Sequence, residues 1–414
     1  MATIRPARAE QSGADRARAA RAALADFLRD CVGVDGAIES AFRQVPRHLF
    51  VPELSPQLAY QDESVAVKFG GDGTPVSSLS QPTMMAIMLG QLGLEPGHRV
   101  LEIGSGTGYN AALMAHIVGA AGSVVTLDID AELCARASAS LAAVGCGQVR
   151  VVCADGGLGV PGGAPYDRII LTVGAWDFAP QWFNQLAPHG RIVLPLSVRG
   201  VQLSVALDRP DGHLISQSAV RCGFIRLAGA LAGPEIGLPG GPQPGALFQA
   251  DDGRPLDADA VYAALTGPAS VVEADLPVVT RAELNDADLW MTLAEPALVR
   301  VTAFGGGAAE PAVGALRPFG GLAETGRADG RLGIAVLALG AAEQTALQVR
   351  GYGQSGTELA GYLAARAGTW HRLGRPGIDD LRLRIYPARY AGKHPAHSMI
   401  FRRPQATLVL DWPR

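Results

Sequence analysis

The spacing of hydrophobic residues along this 414-residue chain changes period several times, and each change predicts an element. From Ala14 to Cys31 (ADRARAARAALADFLRDC), apolar residues recur every three or four positions with arginines between, which predicts an amphipathic helix with a solvated basic face. Residues 1–13 are mostly small and polar and read as frayed. A second helix is expected over Asp35 to Gln44, and Pro46 and Pro52 keep the following VPRHLFVPE from being helical throughout. Tyr60 to Pro82 is rich in Gly and Ser and reads as one long connection. It runs into the apolar helix TMMAIMLGQLGL, where Ser80 and Gln81 precede Pro82 and Ser80 could serve simply as a helix cap.

From Arg99 the pattern becomes short apolar runs alternating with helical segments, which predicts a doubly wound, mostly parallel sheet. The strands are RVLEI, SVVTL, VRVVC, YDRIIL and GRIVLPLS, and VQLSVALDR with HLISQSAV reads as an antiparallel pair. Ligands of such sheets bind beyond the carboxyl ends of the strands, where Gly104, Asp128, Asp155 and Thr172 to Ala175 all fall. The stretch from Arg99 to Asp130 concentrates this chemistry. Gly104, Gly106 and Gly108 allow a tight strand-to-helix turn, Asp128 ends the next strand as an acceptor for ribose hydroxyls, and Glu102 offers a carboxylate to a cationic ligand. The Gly-x-Gly-x-Gly spacing differs from the Gly-x-Gly-x-x-Gly of dinucleotide sites, and a tight turn can also need glycine for steric reasons alone.

Residues 228–249 are dense in Gly and Pro and are expected to be a linker. Beyond them, DADAVYAAL and SGTELAGYLAARAGTWHRL read as helices, and SVVEADL, ALVRVTAF, LGIAVLAL, TALQVRGYG, LRLRIYPA and ATLVLDW as strands. The expected division is therefore an N-terminal helix (1–34), a nucleotide-binding α/β domain (35–227), a linker (228–249) and a second, α+β domain (250–414). A net charge of −4 gives no footprint for nucleic acid. Cys31, Cys134, Cys146, Cys153 and Cys222 lack Cys-x-x-Cys spacing and read as buried thiols, not as a disulfide framework or zinc site. His371, His394 and His397 are scattered over different segments, so no metal is expected, and Trp290, Trp370 and Trp412 read as core. With no apolar run of bilayer length, the expectation is a soluble, cytoplasmic protein without membrane or nucleic-acid partners.

Seven pieces in order carry a family resemblance: AFRQVPRHLFVPE, YQDESV, SSLSQPTMMAIML, VLEIGSGTGYNAALMA, the ADG turn at 154–156, YDRIILTVGA and QLAPHGRIVLPL. Residues 35–227 resemble protein-L-isoaspartate O-methyltransferases, class I enzymes that use S-adenosylmethionine and release S-adenosylhomocysteine. The resemblance implies a Rossmann-like sheet and assigns Gly104, Ser105, Gly106 and Gly108 to the cofactor loop and Asp128 to the ribose. It also assigns Asp155 and Gly156 to the turn beside the adenine, with Glu102, Ile129 and Thr172 completing the cofactor's surroundings. Ser80 matches the serine at the reaction centre, with Gln81 beside it, and Tyr60, Asp62, Ser78 and Val173 border the substrate cleft. An acceptor carboxylate, with a pKa of about 4, is already nucleophilic at neutral pH, so Ser80 is expected to orient it and no general base is required. A Ser/His/Asp hydrolase is disfavoured because Ser80 lacks the Gly-x-Ser-x-Gly elbow.

Two departures qualify the resemblance. Arg226, in GFIRL, stands where the family's pattern has proline, and a cation there could hold an acidic peptide. Residues from about 235 onward exceed the family's core and resemble additions found on methyltransferases of ribosomally made, modified peptides, including lanthipeptide and graspetide pathways. The expected function is therefore methyl esterification of an aspartate in a dedicated precursor peptide, leading through aspartimide to isoaspartate. The alternative is general repair of isoaspartyl residues in damaged proteins.

Overall fold

The computed structural model describes residues 6–249, except 72, 211, 235–236 and 243–244, and 256–413, except 275, 277–278, 297, 304–318, 325–331, 340–346 and 391. Helix α1 (Pro6–Val32) begins inside the segment 1–13 expected to be frayed, earlier than the predicted start at Ala14, and α2 (Gly36–Gln44) follows, capped by the Asp35 carboxylate on the Ile38 N–H. The single turn α3 (Pro56–Ala59) leads to strands β1 (Val65–Phe69) and β2 (Pro75–Leu79), paired antiparallel. The stretch expected to be a featureless connection is thus a hairpin. Its residues are mostly part-exposed, so the apolar run that would have signalled two strands is missing.

After α4 (Pro82–Leu92) comes the parallel core: β3 (Arg99–Ile103), α5 (Tyr109–Val118), β4 (Ser123–Asp128), α6 (Ala131–Ala143), β5 (Arg150–Cys153), β6 (Tyr166–Leu171), α7 (Pro180–Gln185) and β7 (Leu186–Val198). Strands β8 (Val201–Asp208) and β9 (Leu214–Arg221) add antiparallel to β7. The doubly wound α/β arrangement expected from the strand pattern is present, with α4 and α5 contributing to one face of the core and α7 to the other.

The second half departs from the expected division. The supposed linker contains β10 (Gly237–Gly240) and β11 (Ala246–Gln249), which pair with each other and start a second sheet. That sheet continues through α8 (Ala258–Leu265), β12 (Ala269–Glu273), α9 (Arg281–Ala294), β13 (Leu298–Ala303), β14 (Phe319–Glu324), β15 (Gly333–Leu339), β16 (Leu347–Gly353) and α10 (Gly356–Arg372), with strand order 10-11-13-14-15-16-12 and every pair antiparallel. Alternation along β15 serves both faces: Ile334 and Val336 pack toward α8, Ala335 and Leu337 toward α9 and α10. Trp290 and Trp370 lie in that core as expected. Helix α9, unforeseen in the sequence, opens with a capping box between Thr280 and Glu283.

The last strands, β17 (Arg382–Pro387), β18 (Met399–Arg402) and β19 (Ala406–Asp411), leave the second domain altogether. β17 pairs with β9, so the catalytic sheet has ten strands in the order 18-19-17-9-8-7-6-3-4-5. Leu383, Ile385, Leu408 and Leu410 join the core beneath β7 and β8, and the Leu383 N–H donates to Ser216 Oγ at 2.8 Å. Residues 250–414 are therefore one domain by sequence order and two by packing. Among the cysteines, Cys31 and Cys153 are exposed and only Cys134 is fully buried, a correction to the expectation of five buried thiols. Among the described residues no helix is long and apolar enough to cross a membrane.

Candidate active site

A cleft opens at the carboxyl ends of β3, β4 and β6. Gly104 turns the chain with φ +101°, and a Cβ there would stand 2.8 Å from Thr172 Oγ1 and 2.9 Å from Val173 Cγ1, so the position admits no side chain. The loop is fixed from below. The N–H groups of Gly104 and Ser105 donate to the Leu127 carbonyl at 2.8 and 3.0 Å, Thr172 Oγ1 donates to the Gly104 carbonyl at 2.6 Å, and the Gly106 N–H donates to Asp128 Oδ2 at 3.1 Å. Asp128 thereby faces the cleft with its carboxylate already held, which suits it to accept from further hydroxyls.

Glu102 lies in the floor of the cleft and is fully buried. Its carboxylate accepts from Asn110 Nδ2 at 2.8 Å and Thr126 Oγ1 at 2.6 Å, which ties α5 and β4 to β3. Burial outweighs those two donors and pushes its pKa up to about 7. Above it, Thr107, Tyr109 and Asn110 line the cleft, and each has a side-chain oxygen hidden from solvent with no hydrogen-bond partner among the described residues.

The opposite wall is the β1–β2 hairpin. Val76 to Ser80 line the cleft, and a Cβ at Gly106 would stand 3.7 Å from the Ser78 carbonyl, so hairpin and glycine loop meet. Arg47 holds this wall in place. It is fully buried with no carboxylate bonded to it among the described residues, and donates to the carbonyls of Ala59 (2.8 Å) and Ser80 (2.9 Å) while its guanidinium lies 5.1 Å from the Tyr109 ring. Desolvation pulls its pKa below the usual arginine value. Sequence reasoning passed over Arg47 although it stands in the quoted VPRHLF; its signal, an arginine inside an otherwise apolar run, is weak until its burial is known.

The family model for protein-L-isoaspartate(D-aspartate) O-methyltransferase matches residues 20–232. Protein-L-isoaspartate O-methyltransferase 2 of Archaeoglobus fulgidus is 41% identical over 210 residues, covering 50% of this chain and 93% of that protein. The protein-L-isoaspartate O-methyltransferase of Thermotoga maritima is 37% identical over 201 residues, covering 48% of this chain and 63% of that one. The chain belongs to the protein-L-isoaspartate O-methyltransferase family. It is a methyltransferase whose cofactor is S-adenosylmethionine. A solved protein-L-isoaspartate O-methyltransferase also matches with a TM-score of 0.50 and 25% identity, covering 88% of this chain and 96% of that chain. That match reaches well beyond residues 20–232, so an extension of this kind is not peculiar to this chain.

The cleft of this methyltransferase fits such a cofactor: Asp128 and the three unsatisfied oxygens of Thr107, Tyr109 and Asn110 suit a cationic, hydroxyl-bearing ligand, and no imidazole or thiol lines it among the described residues. Of the residues expected around the cofactor, Glu102, Gly104, Ser105, Gly106, Asp128, Ile129, Gly156 and Thr172 line the cleft, as do Ser78, Ser80, Val173 and Arg226 from the reaction and substrate sets. Five others do not. Gly108 starts α5 and packs on Leu141 and Ala137. The Asp155 carboxylate is taken by the N–H groups of Gly157 and Ala230, because the segment after Arg226 folds over that turn. Gln81 turns away from the cleft to donate to Asp62 at 2.9 Å. Asp62 itself accepts from Thr83 N and Oγ1 and so anchors the start of α4. Tyr60 is buried with its hydroxyl 2.9 Å from His48 Nδ1. Gln81 and Asp62 thus brace the segment after Ser80 and Tyr60 packs on His48, so their match to the family's motif does not place them in the cleft.

Proposed function

We propose that this methyltransferase esterifies isoaspartyl side chains of peptides and proteins, with Ser80 orienting the acceptor carboxylate. One observation carries the reading: the hairpin bearing Ser78 and Ser80 and the loop of Gly104 to Gly106 line the same cleft from opposite sides. When bound, S-adenosylmethionine supplies an electrophilic methyl on a sulfonium, so the acceptor gains an O–CH3 bond as the C–S bond breaks and no proton needs to move. The protein's part is positioning and exclusion of water. Asp128, Asn110 and Thr107 hold the donor, Ser80 donates a hydrogen bond that aims one carboxylate oxygen, and Arg47 fixes the Ser80 backbone by its carbonyl. Arg47 also places a buried positive charge behind the site where a carboxylate must approach.

The narrower expectation, a dedicated precursor peptide, rested on the C-terminal extension. A solved protein-L-isoaspartate O-methyltransferase matches over 88% of this chain, which favours general repair, the reading adopted. Methyl-labelled cofactor with paired short peptides, one carrying isoaspartate and the other aspartate at the same position, tests it. Methyl ester on the isoaspartyl peptide alone is expected. Preference for the aspartyl peptide returns the precursor reading, and no transfer to either overturns carboxyl methylation.

A further inference from the structure

Between the two large sheets lies a second cavity, of about 750 Å³, that the methyl transfer described above does not use. The turn from β7 to β8 and the segment after β9 form one side; Gln249 of β11, Asn285 of α9 and Arg300 of β13 form the other. Arg221, Arg226 and Arg300 line it, and among the described lining residues there is no carboxylate. Behind them, among the described residues, Asp288, 2% exposed, pairs with Arg221 at 3.0 Å and Arg300 at 2.8 Å. Among the described residues these three guanidinium groups are set against that one carboxylate, and partly enclosed walls strengthen their attraction for an anion. Trp176 lines the same space, and its indole N–H is hidden from solvent with no hydrogen-bond partner among the described residues.

The cavity and the cleft share a wall. Arg226 lines both, Thr172 and Val173 line the cleft while Gly174 and Trp176 line the cavity, and the hairpin contributes Val76 to Ser80 to one and Thr74 to the other. At about 3.3 Å per residue, Thr74 and Ser80 lie about 20 Å apart along the hairpin, the span of about six residues of extended peptide.

We propose that this arginine-lined cavity is a second acceptor subsite, binding an acidic stretch of the polypeptide about six residues from the aspartyl group being methylated. This rests on the carboxyl methyltransferase reading. It makes an exposed acidic segment near the damaged residue a determinant of which proteins are methylated, a selection that the shared core of residues 20–232 cannot make without the second sheet.

Two isoaspartyl peptides of equal length test it, one with three glutamates about six residues from the isoaspartate and one with glutamines there. Wild-type enzyme at low salt is expected to favour the acidic peptide about tenfold in kcat/KM, through KM, and the preference should shrink as salt screens it. Arg221→Gln, and Asn285→Glu on the exposed side of α9, should each reduce that ratio at least threefold. Fluorescence anisotropy of the labelled acidic peptide, read without cofactor, should show the same loss of affinity in both variants. Equal kcat/KM for the two peptides in wild type, or a preference and an affinity untouched by both substitutions, overturns the subsite. Binding of the acidic peptide that weakens in the variants, with no methyl transferred to any peptide, would instead sustain the subsite and overturn the catalytic reading.

Discussion

At the carboxyl ends of β3, β4 and β6 the site is made of backbone turns, Asp128 and small hydroxyl side chains, its floor supplied by residues 102–130 and its walls by the hairpin and Thr172; between the two sheets the walls come from β7 to β9, β11, β13 and α9, and the charged side chains among the described lining residues are arginines. The first arrangement suits a ligand of fixed shape, because a strand, a tight turn and a helix start hold their geometry by local bonds such as those from Gly104 and Ser105 to Leu127. The second suits a variable chain recognised mainly by charge. Donor binding is thus local, and acceptor choice depends on how distant segments meet.

The sharpest way to break this contrast is Gly104→Val. A side chain at φ +101° meeting Thr172 and Val173 costs about 4 kcal/mol, so cofactor affinity by calorimetry should fall by roughly three orders of magnitude. Unchanged affinity would mean that the glycine loop is not the donor site. Arg47→Met should lower stability by about 3 kcal/mol in denaturant unfolding, since the Ala59 and Ser80 carbonyls lose their buried donor.

Glu102 gives a pH dependence of similar size. Its pKa rises on folding from 4.5 to about 7, so between those values the folded protein keeps a proton that the unfolded chain has released. Stability should therefore fall by on the order of 3 kcal/mol as pH rises through that window and level off above it. Glu102→Gln should flatten this slope in Tm measured against pH; an unchanged slope would place its origin elsewhere.

Ser80→Ala sharpens the contrast from the acceptor side. Loss of one hydrogen bond to a charged acceptor, about 2 kcal/mol, should lower kcat about 30-fold while leaving cofactor affinity intact. Arg226→Gln should have the smallest effect, raising KM for a neutral isoaspartyl peptide less than about threefold. Its guanidinium is already turned to the carbonyls of Ala232, Gly233 and Pro234, so it curls that segment as well as lining the cleft.

The parallel core was legible because each strand is an apolar run ending at a turn, and Asp128, Gly104 and Gly106 lie at those ends. The hairpin was not, since its mostly part-exposed strands carry mixed polar and apolar residues. Gln81, Tyr60 and Asp62 were placed in the cleft by motif, but a motif preserves residues that brace a loop as well as those that touch a ligand. Six of the later strands were readable, whereas β10 and β11, taken for linker, β14 (Phe319–Glu324), which includes Gly320 and Gly321, and the short β18 (Met399–Arg402) were missed.

The amino-acid order by itself determined the donor half of this protein: the glycine turn, the acid after β4 and the parallel strands arise from neighbours in sequence, whose geometry is set by local hydrogen bonding and by which residues tolerate positive φ. Only the tertiary structure decided that β17 to β19 return to the catalytic sheet, that Arg47 carries the Ser80 loop, and that Arg221, Arg226 and Arg300 line one cavity. Those arrangements join residues tens to more than a hundred positions apart. Their partners are selected by buried area and charge compensation across the whole molecule, which no local pattern records.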